Sequence, residues 1–149
     1  MTSASPLPDA VVVVIERDDG RILFVQRPAH DSYPGYWNPV TGACEESDGK
    51  RFPATCIREA REEVGLEIEV LGKIWQSETI GKHYTMHWFL ARPVGAVNIT
   101  PDPAEVSGYR WLAVSDIATL EPAFADTRRF FAEVWPKVYV QVIRRDKHA

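Results

Sequence analysis

Three glutamates, Glu59, Glu62 and Glu63, fall within five consecutive positions, directly after Arg58 and just ahead of Gly65-Leu66. A helix advances about 100° per residue, so with Glu59 at zero, Glu63 lies at about +40° and Glu62 at about −60°. The three carboxylates therefore share one face. Ile57, Ala60 and Val64 gather at about 100–160° from Glu59 and can face a core. Glu59 and Glu63, like charges one turn apart, repel by a few tenths of a kcal/mol (~0.3) unless something neutralises them. Arg58 offers partial relief. A hard divalent cation offers more, because Mg²⁺ prefers oxygen ligands and takes a few carboxylates together with substrate phosphate. A glutamate-rich helix face by itself is ordinary solvated surface, and the side chains of Glu62 and Glu63 are expected outside the packed core.

The elements around this face can be placed from the pattern. Pro53 suits a first helical turn, where a missing N–H costs little. Ala54–Val64 reads as helix, and Gly65 as the residue just past its end. Ala10–Glu16 is rich in β-branched residues and reads as a buried strand. Asp18-Asp19-Gly20 is a turn signal, and Arg21–Arg27 is a second strand, so the two should form a hairpin. Pro28 to Gly35 reads as loop, and Tyr36–Val40 as a short extended piece that Pro39 makes irregular or peripheral. Thr41 to Phe52 has no apolar period and reads as loop. Strands are expected at Ile68–Ser77, Tyr84–Arg92 and Val106–Leu112, with a Gly-containing turn between the first two. A second helix is expected over Asp126–Trp135, ending at Pro136. Strands, helix, strands, helix is an α+β order, with a mixed or largely antiparallel sheet against packed helices.

The stretch from Gly42 to Leu66, GACEESDGKRFPATCIREAREEVGL, resembles the Nudix box: glycine, five residues, glutamate, seven residues, then R-E-U-x-E-E-x-G-U with U apolar. Its second half matches at Arg58, Glu59, Ala60, Glu62, Glu63, Gly65 and Leu66. The flanks are also similar to the family: Val25-Gln26-Arg27, the lead-in Trp37-Asn38-Pro39-Val40-Thr41-Gly42, and Glu105 to Trp111. The resemblance runs from about Ala10 to Phe131. One departure is in the first half. Gly42 stands 16 positions before Arg58 where the family has 14, which puts Cys44 at the glycine position and Lys50 at that of the first glutamate. A two-residue insertion in a loop accounts for this, and loops tolerate insertion. Asp48 then stands in for the first glutamate, with Glu45 and Glu46 as rivals.

The resemblance implies a Nudix fold, an α/β/α sandwich with a mixed central sheet between helices, as a single domain over residues 1–149. It implies Glu59, Glu62 and Glu63 as ligands of Mg²⁺ or Mn²⁺, Arg58 as the group that orients them, and hydrolysis of a phosphoanhydride in a nucleoside diphosphate-linked compound. Glu105 stands where some members carry a further catalytic or metal-binding carboxylate; the other reading is an exposed loop acid. Arg27 can reach a phosphate or close a surface salt bridge. With Gly42, Tyr36 and Trp37 it makes up the substrate-facing candidates; Tyr84 and Trp88 join the two aromatics as stacking platforms for a base or as core. His83 and His87 read as structural or substrate-lining, since their spacing does not suit a zinc pair on a strand. The lead-in YWNPVTGACEE looks like that of dihydroneopterin triphosphate pyrophosphatases, which favours a nucleoside or pterin triphosphate releasing pyrophosphate. Nucleotide sugars, ADP-ribose and dinucleoside polyphosphates are alternatives, as is a nucleotide sensor that kept the fold and lost catalysis.

Composition narrows the classes. The chain has 149 residues, 45% of them hydrophobic, and a net charge of −4. That is enough apolar material for a core without disulfides. The acidic balance argues against general nucleic-acid or anionic-membrane binding, which need a basic face. A small-molecule, nucleotide-like partner fits, and a homodimer stays open. Met1 to Asp9 reads as a loose tail, and Ala10–Ile15 is far too short to span a bilayer. Without a secretory signal, Cys44 and Cys56 read as reduced and the protein as cytoplasmic.

Overall fold

The computed structural model describes residues 6–79 and 83–147. In chain order the strands and helices are β1 (Asp9–Ile15), β2 (Ile22–Gln26), β3 (Trp37–Asn38), β4 (Val40–Ala43), a 3-10 turn at Glu46–Asp48, α1 (Phe52–Val64), β5 (Ile68–Glu78), β6 (Thr85–Pro93), β7 (Gly108–Leu112), α2 (Val114–Ile117), α3 (Ala125–Arg129), a π-helical turn at Phe130–Val134, and α4 (Trp135–Lys147). A four-stranded sheet has the order β4-β1-β6-β5 and a three-stranded sheet the order β3-β2-β7. The first is mixed: β1 runs parallel to β6 and antiparallel to β4. The expected α+β layering holds.

β1 lies at the centre and is buried on both sides. Ala10, Val12 and Val14 join a core with Trp88, Phe130, Phe131, Trp135 and Val142. Val11, Val13 and Ile15 join another with Cys56, Ala60 and Val64 of α1. This explains the unbroken run of β-branched residues where a half-exposed strand would alternate.

Four expectations need correction. β1 and β2 are not a hairpin: apart from a single bridge between Glu16 and Ile22 they part into different sheets. Both edges of β1 are already paired, to β4 and β6, so none is left for β2. Second, Thr41 to Ala43 is strand, because β1 supplies backbone partners whatever the side-chain period. Third, the helix does not stop at Pro136. The Trp135 N–H donates to the Phe130 carbonyl, five residues back, and this wider turn lets the chain re-enter α-helix with Pro136 as its second residue, where no N–H is required. Fourth, the tail does not reach Asp9. The Thr85 N–H donates to the Pro8 carbonyl (2.9 Å), and Asp9 opens β1 opposite Thr85. Met1 to Ser5, and the Gly81 of the turn expected between β5 and β6, lie outside the described residues.

Candidate functional site

α1 is well delimited. Pro53 sits in its first turn, and Gly65 closes it in the left-handed conformation (φ 65°), its N–H returning to the carbonyls of Ala60 and Arg61. Cys56, Ala60 and Val64 anchor one side in the core. The opposite side lies under β4, whose Gly42 pairs with Val11. Gly42 comes so close to the helix that a Cβ there would overlap the Glu59 carboxylate. A side chain at position 42 would push that carboxylate away from where Arg58 holds it, so the constraint is close approach, since the φ of Gly42 is ordinary.

Under that strand the three glutamates separate. Glu59 and Glu63 are buried, at 9% and 5% exposure, while the Glu62 side chain is 53% exposed. The expectation that Glu63 lies outside the core is therefore wrong: the wheel gives its angle, but β4 covers that angle. The carboxyls of Glu59 and Glu63 lie within hydrogen-bonding reach of each other, and burial pushes both above the usual carboxylate range, Glu63 well above it. Glu105 adds to the repulsion felt by Glu63, while a backbone hydrogen bond from Thr41 relieves it. One oxygen of Glu63, Oε2, is buried with no partner at all.

Arg58 holds the outer side. Its Nε and Nη2 grip both oxygens of Asp48 (2.9 and 3.0 Å), Nη1 donates to Glu59 (2.9 Å) and Glu62 (3.0 Å), and Nη2 also donates to the Ala43 carbonyl (3.0 Å). Asp48 in turn accepts from the Thr55 hydroxyl and the Glu45 N–H, both at 2.9 Å. The Arg58 guanidinium holds the Asp48 carboxyl well below the usual range. Glu45 reaches the same guanidinium at 3.4 Å, and the Arg58 ion pairs do not include Glu46.

Glu105 is brought in by backbone. The Thr100 and Asp102 N–H groups donate to the Val64 and Glu63 carbonyls, the open end of α1, and the Glu105 N–H donates to Asp102. Glu105 and Glu63 thereby line a common cavity of about 60 Å³ with Arg27, Asn38 and Thr41. Next to it is a larger cleft of about 650 Å³ that shares Arg27, Asp31, Asn38 and Thr41. Gly42 also faces it, with Tyr33, Tyr84, Met86, Trp88 and Phe124 as apolar wall. Arg27 lies on both walls, but its guanidinium is bound to Ser32 (2.6 and 2.9 Å) and Asp31 (3.2 Å).

Tyr36 and Trp37 do not line the cleft. Tyr36 packs behind Tyr33 and Phe124, and Trp37 pairs with Gln26 beneath Arg110. Of the proposed platforms, Tyr84 and Trp88 do line it, as does His83; His87 sits on the other face of the sheet, stacked on Phe52 and bound to Asp9 (2.8 Å). Tyr33 and Phe124, whose rings meet at 5.0 Å, carried no signal in the sequence. A loop tyrosine and a phenylalanine before a short helix meet only through the fold.

The donor set fits a hard divalent cation. It is all oxygen, two carboxylates are adjacent and buried, and one oxygen has no protein partner. As they stand, no three His, Cys, Asp or Glu side chains converge in a ligand cluster among the described residues. Glu59 and Glu63 are the inner pair, and Glu62 is turned to Arg58.

Comparison with known proteins agrees with this geometry. The family model described as the NUDIX domain matches residues 6–134. The chain is 30% identical over 123 residues to the NAD-capped RNA hydrolase NudC of Deinococcus radiodurans, covering 80% of this chain and 42% of that protein. It is 40% identical over 62 residues to the CTP pyrophosphohydrolase of Escherichia coli, covering 42% and 44%. It thus spans less than half the length of the curated relatives it matches. The solved MutT protein from Methanosarcina mazei Go1 has the same fold, with a TM-score of 0.69 at 18% identity over 98% of this chain and 99% of that one. Among the described residues no helix is long and apolar enough to cross a membrane.

Proposed function

Because this chain belongs to the Nudix family, whose model covers residues 6–134, we propose that it is a hydrolase, dependent on Mg²⁺ or Mn²⁺, that cuts a phosphoanhydride bond in a nucleoside diphosphate-linked compound. A nucleoside or pterin triphosphate releasing pyrophosphate is the favoured substrate. The observation that carries the reading is the buried Glu59–Glu63 pair with its unpartnered oxygen, set where a small acid-lined cavity meets a large aromatic-walled cleft. An acid in that state is costly unless a cation or a proton completes it.

A bound divalent cation would neutralise the diphosphate and sharpen a water for attack at phosphorus. Glu59 and Glu63 would hold it, with Glu62 joining on release from Arg58. Arg58, fixed by Asp48, keeps the Glu59 carboxylate aimed inward. Gly42 leaves the carboxylates room beneath the strand. Glu105, which lines the same small cavity as Glu63, would take a proton from the attacking water at its carboxylate oxygen. The cleft would take the ring of the substrate. Arg27 is assigned to shaping the cleft wall through Ser32 and Asp31. Phosphate charge then has no unengaged arginine to meet it there, which puts that task on the cation.

A second reading, a dinucleotide with two nucleoside halves, is favoured by the similarity to an NAD-capped RNA hydrolase. Release of hydrolysis products separated by chromatography (pyrophosphate and the monophosphate from nucleoside and pterin triphosphates, the two monophosphate halves from NAD and nucleotide sugars, the two nucleotides from dinucleoside polyphosphates), with and without Mg²⁺, tests both. Mg²⁺-dependent release from at least one is expected. Tight nucleotide binding with no release from any would replace the hydrolase with a sensor.

A further inference from the structure

Glu105 is flanked by two contacts that reach across to β2 and the segment after it. On its C-terminal side, the Ser107 N–H donates to the Gln26 carbonyl (2.9 Å), continuing the ladder that pairs Gln26 with Gly108. On its N-terminal side, His30 Nε2 lies 3.1 Å from the Ala104 carbonyl. Among the described residues this is the one hydrogen bond between residues 28–36 and residues 94–106. A carbonyl only accepts, so Nε2 carries the hydrogen, and both the neutral Nε2–H tautomer and the imidazolium can make the contact. The two turns that meet here are each braced. His30 sits inside a turn closed by the Asp31 N–H on the Pro28 carbonyl (3.1 Å), and Arg27 supports that turn through Asp31 (3.2 Å) and Ser32 (2.6 and 2.9 Å). Ala104 sits in a turn around Asp102, whose carboxylate accepts from the Ala104 N–H (3.0 Å) and whose carbonyl accepts from the Glu105 N–H (2.9 Å).

We infer that His30 is a positioning residue: by holding the Ala104 carbonyl it fixes the neighbouring Glu105 beside Glu63 and ties it to the wall of the cleft. This deepens the proposed function and rests on its assignment of Glu105 as the group that takes the proton. The backbone anchors the turn at its two ends, where the Asp102 N–H meets the Glu63 carbonyl (2.9 Å) and where Ser107 meets Gln26. His30 acts between those ends, on the peptide next to Glu105. An exposed hydrogen bond adds little to stability, whereas a reacting group displaced by about 1 Å can lose a large factor in rate. The segment that carries His30 also supplies Arg27, Asp31, Ser32 and Tyr33 to the large cleft, and Arg27 and Asp31 to the small cavity with Glu63 and Glu105. The Arg27 brace thereby acts on Glu105 through His30.

The test is a double-mutant cycle on the hydrolysis found in the substrate panel, joined to amide hydrogen exchange, which requires no turnover. His30→Ala should lower kcat by about tenfold with KM held within about twofold, and should leave the melting temperature nearly unchanged. His30→Gln, which keeps an N–H donor, should recover most of the loss. In Glu105→Gln, adding His30→Ala should cost nothing more, because the positioned group is already gone. The Glu105 and Val106 amides should exchange several times faster in His30→Ala than in the wild type, read by mass spectrometry, and close to the wild-type rate in His30→Gln. Normal turnover in His30→Ala, an equal loss with and without the Glu105 carboxylate, or unchanged exchange of those amides overturns the inference. Hydrolysis in the panel alongside unchanged exchange would leave the proposed function standing while removing this one. Faster exchange in His30→Ala with no hydrolysis by the wild type would remove the proposed function and leave His30 as the group that holds Glu105.

Discussion

Two glutamates are buried to the same extent in this molecule, each at 5% exposure, and they are treated in opposite ways. Glu16, at the end of β1, accepts from the Tyr139 hydroxyl (3.0 Å) and pairs with Arg92 (3.2 Å), so α4 and two strands are tied through one satisfied carboxylate. Glu63 has a second carboxyl against it, Glu105 nearby, and an oxygen with no partner. A folded chain satisfies the acids it uses as ties and leaves unsatisfied those it holds for something else. The comparison makes opposite predictions for the two sites.

The largest expected effect is at Glu63. Glu63→Gln keeps the shape, removes a buried like-charge contact and removes a cation ligand. Turnover should fall by about three orders of magnitude, in the range seen when a main electrostatic group is lost, while the Mg²⁺-free melting temperature holds or rises. Mg²⁺ should stabilise the wild type by mass action and the variant little. Thermal melts with and without Mg²⁺ read this independently of activity. Near-normal turnover in Glu63→Gln and in Glu62→Gln would remove the metal assignment.

A middle-sized effect is expected at Asp48, which supports the site from behind. Its bidentate contact with Arg58 is nearly solvent-free, the Asp48 side chain being 5% exposed. Asp48→Asn should cost about 1–3 kcal/mol of stability and about tenfold in turnover. Because Arg58 holds this carboxyl below its ordinary 3.8, its contribution is full above that value and fades as pH falls below it. The stability gap between wild type and Asp48→Asn measured by urea melts should therefore close in acid. Glu46→Gln should be near neutral; a larger loss there than in Asp48→Asn would reverse the assignment of the box acid.

How far the sequence reaches can be judged from these same residues. The fixed spacing from Arg58 to Leu66 carries α1, its glycine stop and the identity of the acids, because helix geometry is local. Asp48 was legible through the count of an inserted pair, and the structure brings it to Arg58. The burial of Glu63 was not legible, since it depends on β4 passing over the helix, a pairing with β1 that leaves no period in Thr41–Ala43. The continuation past Pro136 was hidden because the rule that proline ends helices assumes an unbroken α-helical ladder, and the wide turn at Phe130–Val134 breaks it first. The Tyr33–Phe124 contact is a product of tertiary packing between distant segments.

A smaller effect tests the satisfied acid. Tyr139→Phe removes one hydrogen bond to Glu16 while Arg92 remains, so about 1 kcal/mol of stability should be lost. Turnover and Mg²⁺ stabilisation should not change, because Glu16 serves only to dock α4. A turnover loss comparable to that of Glu63→Gln would show that the two acids are not as separate as their surroundings imply.

The smallest effect reads the packing of α1 without perturbing it. Cys56 lies in the core beside Ala60 and Val64, and burial pushes its thiol up to about 12. A thiol is reactive only as thiolate, so at pH 8 Cys56 should resist alkylation in the folded protein. Cys44, near the end of β4, is partly exposed, and although burial also raises its thiol, it should label first. If Glu63→Gln changes only the acid pair, Cys56 protection should persist in that variant, and mass spectrometry after timed iodoacetamide treatment would show one label. Rapid labelling of Cys56 in the variant would mean that α1 had loosened, and the turnover loss at Glu63 would then report unfolding of the helix rather than loss of a ligand.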